Sequence, residues 1–276
     1  MVERPAVEPA CDNRAASWHL KYICSHRKVV CSNHTRGKLF SKALAIMAIS
    51  TKYSILLPTL NEGDALAPLL ERLLALPFCK ESEILILDSG SWDNTRDTYT
   101  HFSQNHKNIK WVGAPHGKSA ALRVGFAKAK GELIFFMDSD LQYMPEELTA
   151  LKNAIDAGAD VVCTKRQVVS ANGHVRRALS LFFSQLVGKK LLNLPVSDPQ
   201  SGMKAIRASL LKKMKLSAKY WDLDLQLIMQ AGALGAKIAE VPITFESREG
   251  GQAKADIFFT GGNLLAAAGR EIFKGR

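Results

Sequence analysis

The sequence contains no apolar run long enough to cross a membrane. Hydrophobic residues make up 47% and charged residues 23% of its 276 positions, which is an ordinary balance for a globular protein. A bilayer span needs roughly 18 to 20 consecutive apolar residues. The longest candidate near the start, residues 39–49, is shorter and is interrupted by Lys42. The sequence therefore predicts neither a transmembrane helix nor a signal peptide.

Cysteine is scarce, and its pattern excludes the usual cysteine-based frameworks. The chain has five cysteines, an odd number with no secretory signal, so we expect no disulfide scaffold. We expect residues 1–50 to form a disordered basic leader. Four potential zinc ligands lie close together in it, but their spacing does not match a common zinc-finger pattern; they are Cys24, His26, Cys31 and His34.

Two familiar nucleotide-binding loops are also missing. The segment from Gly113 to Ser119 is similar to a Walker A loop, but it has three residues where the motif requires four before Gly-Lys-Ser/Thr. No Gly-x-Gly-x-x-Gly follows the first predicted strand, which argues against a dinucleotide-binding domain. The sequence therefore predicts neither a P-loop ATPase nor a Rossmann dehydrogenase.

Acidic residues are absent between Asp160 and Asp198, and basic residues are in excess overall. The formal net charge of +11 predicts an anionic partner. Nucleic acid is disfavoured, because the basic residues alternate with aliphatic ones and no nucleic-acid-binding motif is present. The acid-free segment has apolar residues at helical spacing, so it predicts either a core-facing helix or an amphipathic helix in a membrane interface. In the second case four residues would contact the membrane or a lipid acceptor: Arg176, Arg177, Phe182 and Phe183.

Strands and helices alternate from residue 53 onward. Apolar runs predict buried strands, and apolar residues at helical spacing predict helices. We expect Pro58 to end the first strand and Asp64 to cap the first helix. The alternation predicts an α/β fold with a mostly parallel sheet flanked by helices. The predicted strands are residues 53–57, 84–87, 109–112, 133–136 and 160–164, and the predicted helices are residues 64–76, 118–129, 145–157 and 222–233.

Two carboxylates follow the fourth predicted strand. The apolar residues 133–136 lead directly to Asp138, Asp140 and Gln142. Ligands of open α/β sheets bind at the carboxyl ends of the strands. Carboxylate oxygens at such a place can hold a hard divalent cation, which in turn holds phosphate oxygens. The sequence thus predicts a phosphate-binding site at this point.

Seven short segments occur in a fixed order along the chain. They are S-I-L-L-P-T-L-N-E at 54–62, L-D-S-G-S-W-D-N-T at 87–95, G-K-S-A-A-L-R-V-G at 117–125, D-S-D-L-Q at 138–142, D-P-Q-S-G at 198–202, A-E-V-P-I at 239–243 and R-E-G-G-Q-A-K at 248–254. Together they resemble family 2 glycosyltransferases of the dolichol-phosphate mannose synthase type. The resemblance implies a GT-A fold for residues 51–256. Residues 257–276 are predicted to form a C-terminal amphipathic helix.

The resemblance implies how the nucleotide sugar is bound. Asp140 and Gln142 would hold Mg²⁺ or Mn²⁺, and Asp138 would contact the ribose or the hydration shell of the metal. The family usually has an aspartate where this chain has Ser89. Because a hydroxyl both donates and accepts whereas a carboxylate only accepts, the choice between GDP and UDP stays open. The further predicted contacts with the nucleotide sugar are Pro58, Leu60, Glu62, Asp88, Ser89 and Ser139.

The resemblance also implies which residues act on the reacting groups. Arg248 and Lys254 would supply positive charge to the donor diphosphate, and so would Arg166. Asp198 would orient the sugar or the acceptor. Asp224 matches an acidic position of the family, although a carboxylate at a helix start is also expected from the helix dipole alone. The predicted catalytic residues are Asp140, Asp198 and Arg248.

The expected activity is the metal-dependent, inverting transfer of a hexose. The donor would be of the GDP-mannose or UDP-glucose type and the acceptor a polyprenyl or dolichyl phosphate. Because the second pKa of a phosphate monoester is near 6, such an acceptor needs no strong base at neutral pH. The protein would act at the cytoplasmic face of a membrane, bound peripherally or through a membrane partner subunit. Two alternatives stay open: a soluble or polysaccharide acceptor, and nucleotide-sugar binding without catalysis.

Overall fold

The computed structural model describes residues 51–168, 195–217 and 223–245. The strands are β1 (Tyr53–Thr59), β2 (Ser82–Asp88), β3 (Ile109–Gly113), β4 (Leu133–Phe136), β5 (Val161–Val168), β6 (Lys204–Arg207) and β7 (Ile238–Phe245). The helices are α1 (Gly63–Ala75), α2 (Thr95–Asn105), α3 (Lys118–Lys128), α4 (Leu148–Asp156), α5 (Ala208–Leu211) and α6 (Leu223–Ala233), with 3₁₀ turns at Pro77–Glu81 and Pro145–Glu147. Across these ranges, no helix combines the length and the hydrophobicity needed to cross a bilayer. The predicted leader and the predicted C-terminal helix lie outside the described residues.

The strands form one mixed sheet in the order β3-β2-β1-β4-β6-β5-β7. All neighbouring pairs are parallel except those of β6, which runs antiparallel to both β4 and β5. The prediction of an α/β fold with a mostly parallel sheet is confirmed. The sequence did not predict α2, α5 or the antiparallel strand β6.

The predicted ends of β1 and α1 were wrong. Strand β1 continues through Pro58 because its pairing with β4 stops at Leu56, whereas its pairing with β2 runs on to Thr59. An N–H at position 58 would point to the β4 side of β1, where the hydrogen-bond ladder has already ended. Proline therefore breaks no hydrogen bond of the sheet. Helix α1 begins at Gly63, so Asp64 lies in its first turn. There the carboxylate interacts favourably with the helix dipole but does not cap the helix.

Helices bury both faces of the sheet. Consecutive strand residues point to opposite faces, and both sets of side chains are apolar, as expected for strands covered on two sides. One core lies under α1 and α4 and the other under α3 and α6. The first includes Ile55, Leu57, Leu66, Leu70, Phe135 and Leu151, and the second includes Leu56, Leu87, Leu122, Phe136, Leu227 and Ile228.

The topology brings several loops to one edge of the sheet. The parallel strands β1, β2 and β4 lie side by side, so their carboxyl ends are adjacent. Because β6 is antiparallel to β4, the segment that leads into it, residues 198–203, reaches the same edge. The D-S-D segment after β4 therefore lies beside the D-P-Q-S-G segment. The N–H of Gly202 donates to Tyr143 Oη across 59 positions of sequence.

Candidate active site

The loops that follow β1 and β2 are joined by hydrogen bonds between backbone and side chains. The N–H of Asn61 donates to Ser91 Oγ at 2.9 Å, and the N–H of Trp92 donates to Asn61 Oδ1 at 3.0 Å. The N–H of Glu62 donates to Thr95 Oγ1 at 3.0 Å. Asn61 has a φ of 54°, a left-handed conformation that asparagine adopts more readily than most residues. The first predicted nucleotide loop is therefore fixed against the second.

Asp88 and Ser89 both bond to neighbouring backbone. The carboxylate of Asp88 accepts hydrogen bonds from the N–H groups of Gly90 and Ser91, each at 3.1 Å. The hydroxyl of Ser89 donates to the carbonyl oxygen of Pro115 at 3.2 Å. A carbonyl oxygen can only accept, so Ser89 must be the donor and has only lone pairs to present in other directions. In this arrangement Ser89 has the acceptor character of the aspartate usual in the family.

The D-S-D segment makes a tight turn directly after β4. Ser139 is buried, and its hydroxyl donates to Pro58 O at 3.0 Å, which ties the turn to the end of β1. The N–H of Gln142 donates to Asp140 Oδ1 at 3.2 Å. Leu141, between them, has a φ of 59°, a left-handed conformation that costs an ordinary residue about 1–2 kcal/mol. The surrounding contacts thus hold the two predicted metal ligands in a strained turn.

Asp140 and Gln142 suit a hard divalent cation. Both carry side-chain oxygens, which are the donors that Mg²⁺ prefers and Mn²⁺ accepts. Within the described ranges no group of three or more His, Cys, Asp or Glu side chains could hold a metal ion. These two residues would therefore hold the ion together with diphosphate oxygens and water, as is usual for Mg²⁺ at phosphate sites.

Two lysines and two aspartates form a charged cluster next to this turn. Lys118 Nζ contacts Asp138 Oδ1. Lys204 is completely buried, and its Nζ lies 2.6 Å from Asp224 Oδ1 and also donates to Ser201 O. Burial opposes the charged form of Lys118, but the carboxylates of Asp138 and Asp224 outweigh it and hold the pKa of this lysine above its ordinary value. The four side chains therefore form two ion pairs, Lys118 with Asp138 and Lys204 with Asp224.

Arg166 and Asp198 form a second charged pair. Arg166 Nε donates to Asp198 Oδ2 at 2.7 Å, and Nη2 donates to Oδ1 at 2.8 Å. The Asp198 side chain is 2% exposed. Its backbone N–H donates to Glu240 Oε1 at 3.0 Å, and the N–H and hydroxyl of Ser197 donate to the same carboxylate at 2.6 Å each. Glu240 on β7 thus fixes the chain where it enters the D-P-Q-S-G segment.

Gly202 lies in close contact with the D-S-D turn. Its N–H donates to Tyr143 Oη at 2.6 Å. A Cβ at this position would lie 2.0 Å from Asp138 Oδ2, so any other residue here would displace the carboxylate of Asp138. Tyr143 is buried, and burial raises the pKa of its phenol. The D-P-Q-S-G segment and the D-S-D turn therefore form one connected unit.

The structure brings the described candidate residues to the carboxyl edge of the sheet. Their functional roles stay predictions. Four residues that contribute to this site were not predicted. Two of them had a signal in the sequence, because Lys118 and Glu240 lie within the quoted segments 117–125 and 239–243; Lys118 also stands at a helix start, where a cation is disfavoured. The others are Tyr143 and Lys204. Six predicted residues lie outside the described ranges: Arg248 and Lys254 for the diphosphate, and Arg176, Arg177, Phe182 and Phe183 for the acceptor.

The fold and the family follow from these features and from the comparisons. A mostly parallel sheet with a D-x-D turn at its carboxyl edge is the GT-A arrangement. Residues 54–215 match the family model "Glycosyl transferase family 2", which is more than half of the 276 residues. The chain belongs to this family.

Curated relatives include three transferases. The chain is 30% identical over 209 residues to an undecaprenyl-phosphate 4-deoxy-4-formamido-L-arabinose transferase of Edwardsiella ictaluri, a match covering 73% of this chain and 62% of the relative. It is 30% identical over 225 residues to a polyprenol monophosphomannose synthase of Mycolicibacterium smegmatis, covering 77% and 83%. It is 29% identical over 212 residues to a dolichol-phosphate mannosyltransferase of Pyrococcus furiosus, covering 74% and 59%. The match thus spans about six tenths of the first and third relatives.

Solved structures with the same fold include glucosyl-3-phosphoglycerate synthase of Mycobacterium tuberculosis. Its complex with Mn²⁺, UDP and glucosyl-3-phosphoglycerate has a TM-score of 0.65 and 20% sequence identity, covering 80% of each chain. Its complex with Mn²⁺, UDP and phosphoglyceric acid has a TM-score of 0.65 at the same identity, covering 80% of this chain and 78% of that one. At this identity the likeness concerns the fold alone.

Proposed function

We propose that this chain is a metal-dependent, inverting glycosyltransferase that moves a hexose from a nucleoside diphosphate sugar to a polyprenyl phosphate. One observation carries the proposal: the D-S-D turn lies at the carboxyl edge of the sheet in contact with the D-P-Q-S-G segment. The names of the curated relatives contain undecaprenyl phosphate, polyprenol and dolichol phosphate, and they support the choice of acceptor.

The leaving group requires positive charge and a fixed geometry. As the bond between the sugar and the donor phosphate breaks, negative charge develops on the nucleoside diphosphate. Asp140 and Gln142 would hold a divalent ion, which would supply electrostatic stabilisation of that charge. Arg166 contributes fixed positive charge from strand β5. Two further predicted cations lie outside the described residues: Arg248 and Lys254.

The acceptor phosphate needs no strong general base. Its second pKa is near 6, so it is largely a dianion at neutral pH. An oxygen of this dianion forms the new bond to the anomeric carbon on the face opposite the departing diphosphate, which inverts the configuration. Both carboxylate oxygens of Asp198 accept hydrogen bonds from Arg166. This geometry suits a residue that orients other groups better than one that removes a proton.

The place of action and the partners are part of the same proposal. The enzyme acts at the cytoplasmic face of a membrane, to which it binds peripherally. The membrane partner subunit and the membrane or acceptor contacts of Arg176, Arg177, Phe182 and Phe183 stay predictions. Sedimentation with anionic liposomes at moderate salt tests the peripheral contact, because an electrostatic attachment weakens as salt rises. Absence of binding at low salt would count against it.

The test of the activity uses labelled GDP- and UDP-sugars with polyprenyl phosphate and Mg²⁺ or Mn²⁺. Label that enters the organic phase reports transfer to the lipid. We expect transfer with one donor, its loss in D140A, and no change in D97A, which removes an exposed carboxylate on α2. Transfer only to water-soluble acceptors would favour the soluble-acceptor alternative. Nucleotide-sugar binding with no transfer to any acceptor would favour a binding protein.

A further inference from the structure

Lys118 occupies an unfavourable position for a cation. It is the first residue of α3, where the positive end of the helix dipole disfavours a lysine. Its side chain is only 14% exposed, and its Nζ contacts Asp138 Oδ1. A charged group so placed needs a nearby anion to offset both its burial and the dipole. Asp138 is that anion.

Asp138 has a protein neighbour at each of its two carboxylate oxygens. Oδ1 contacts Lys118. Oδ2 lies so near Gly202 that a Cβ there would come within 2.0 Å of it, and Gly202 is fixed in turn by its 2.6 Å hydrogen bond to Tyr143. Asp138 thus lies between the start of α3, where it pairs with Lys118, and the D-P-Q-S-G segment, against which it packs closely.

The neighbouring carboxylate has its own cation. Asp224 lies 2.6 Å from Lys204, and both are buried. The two pairs together carry no formal net charge. Because Lys204 contacts Asp224, the carboxylate that Lys118 contacts directly is that of Asp138, although the charge of Asp224 also acts on Lys118.

We propose that Lys118 is the positioning residue of the D-S-D turn. It neutralises Asp138, so that Asp140 serves as the carboxylate for the divalent ion and a nucleoside diphosphate approaches without repulsion from Asp138. The inference rests on the proposed function only in taking a nucleoside diphosphate as the ligand. Without Lys118, the unbalanced charge of Asp138 would repel phosphate groups and attract cations.

The test is a double-mutant cycle with UDP and GDP as ligands. Calorimetry in EDTA measures the metal-free affinity of the wild type, K118M, D138N and the double variant K118M/D138N. We expect K118M to weaken binding by about tenfold, because the uncompensated carboxylate of Asp138 would repel the phosphate groups of the nucleotide. We expect the double variant to recover to within about twofold of D138N, because the charge that Lys118 balances is then gone.

A second measurement follows Mn²⁺ alone, by the electron paramagnetic resonance signal of the free ion. K118M is expected to bind Mn²⁺ more tightly than the wild type, since Asp138 then carries an unbalanced charge, and D138N is expected to cancel that gain. K110M is the matched control. It breaks the 2.6 Å pair between Lys110 and Glu83, outside the D-S-D turn, and should change neither affinity.

Three results would overturn the inference. They are wild-type affinity in K118M, a double variant as weak as K118M, and Mn²⁺ affinity that does not change. If K118M alone does not fold, the double variant still decides, because nucleotide affinity close to that of D138N supports the role and its loss contradicts it. A wild type that binds neither nucleotide even with Mn²⁺ would contradict the proposed function itself, and this inference with it.

Discussion

Arg166 and Asp198 are joined by two parallel hydrogen bonds of 2.7 and 2.8 Å. The pair connects strand β5 to the D-P-Q-S-G segment across 32 positions of sequence. Asp198 is almost fully buried. The two residues predicted separately, one for the diphosphate and one for the sugar or acceptor, therefore act as one unit whose orientation depends on both partners.

Removing Asp198 should destabilise the fold. D198A leaves the guanidinium of Arg166 partly buried without its carboxylate, so we expect the free energy of unfolding to fall by about 3 kcal/mol in urea titrations. D156A is the control, because it breaks the exposed i,i+4 pair with Lys152, which is worth about 0.3–0.5 kcal/mol. Equal losses in the two variants would show that the buried pair contributes no more than a surface pair.

The role of Asp198 in turnover has a separate test. D198N keeps the shape of the side chain but removes the charge opposite Arg166. If the pair orients Arg166 toward phosphate groups, sugar transfer should fall while the variant remains folded. Full turnover in D198N would contradict any orienting role of this carboxylate.

Replacing Gly202 by any other residue should move Asp138. G202A places a Cβ where Asp138 Oδ2 and the Tyr143 ring now lie, so nucleotide affinity measured by calorimetry should drop. G232A is the matched control, because a Cβ on Gly232 meets nothing within 4 Å. Alanine within α6 should stabilise the helix by roughly 0.5–1 kcal/mol and leave binding unchanged. Unaltered binding in G202A would mean that the contact does not constrain Asp138.

The left-handed conformation of Asn61 predicts that the glycine variant is more stable than the alanine variant. N61A should be less stable than N61G by about 1 kcal/mol, because alanine is disfavoured at the left-handed φ of 54° whereas glycine is not. At Thr100, exposed within α2, the order should reverse: T100A should be more stable than T100G, because alanine is the better helix former. Urea unfolding of the four variants measures both differences. The same order at both sites would refute the backbone explanation.

Glu83 should make stability depend on acid pH. Burial raises the pKa of its carboxyl group, but hydrogen bonds from Lys110, from the Lys130 N–H and from Ser54 outweigh burial and hold the pKa below its ordinary value of 4.5. Because the folded pKa is the lower one, this stabilisation is present above pH 4.5 and is lost as the pH falls through the folded pKa.

E83Q tests this dependence. It should be less stable than the wild type at pH 7 and should lose less stability between pH 5 and the acid transition. Thermal unfolding across this range measures the effect. E146Q, which changes the exposed pair with Arg72, should follow the wild-type profile more closely. Parallel profiles for E83Q and the wild type would contradict the assignment.

The apolar pattern predicted the strands better than it predicted the helices. Strands β1, β2 and β4 are apolar on both faces because helices cover both, so their runs are visible in the sequence. Helix α2 was not predicted because only Thr95 of its residues is buried. Its core-facing aromatic residues, Tyr99 and Phe102, are partly buried and form too short an apolar stripe to stand out. Helix α1 was predicted because a leucine-rich face packs on the sheet.

Charged residues in the core limited the prediction of the site. Strand β6 begins with Lys204, a residue type that normally marks the surface. Its burial depends on Asp224, which lies 20 positions later and which no local pattern connects to it. The motifs placed Asp138 and Asp140 at the edge of the sheet correctly. The pairing of Asp138 with Lys118 depends on how α3 packs beside β4. The spacing of residues along the sequence does not predict that packing.

The most direct test of the proposed activity is the anomeric configuration of the lipid product. The wild type would be incubated with Mn²⁺, polyprenyl phosphate and an α-linked nucleotide sugar, and the isolated glycolipid would be examined by NMR. The proposed mechanism predicts a β-linked sugar phosphate, formed by the wild type and absent with D140A. An α-linked product, or no lipid-linked sugar from any GDP- or UDP-sugar while the nucleotides bind, would contradict it.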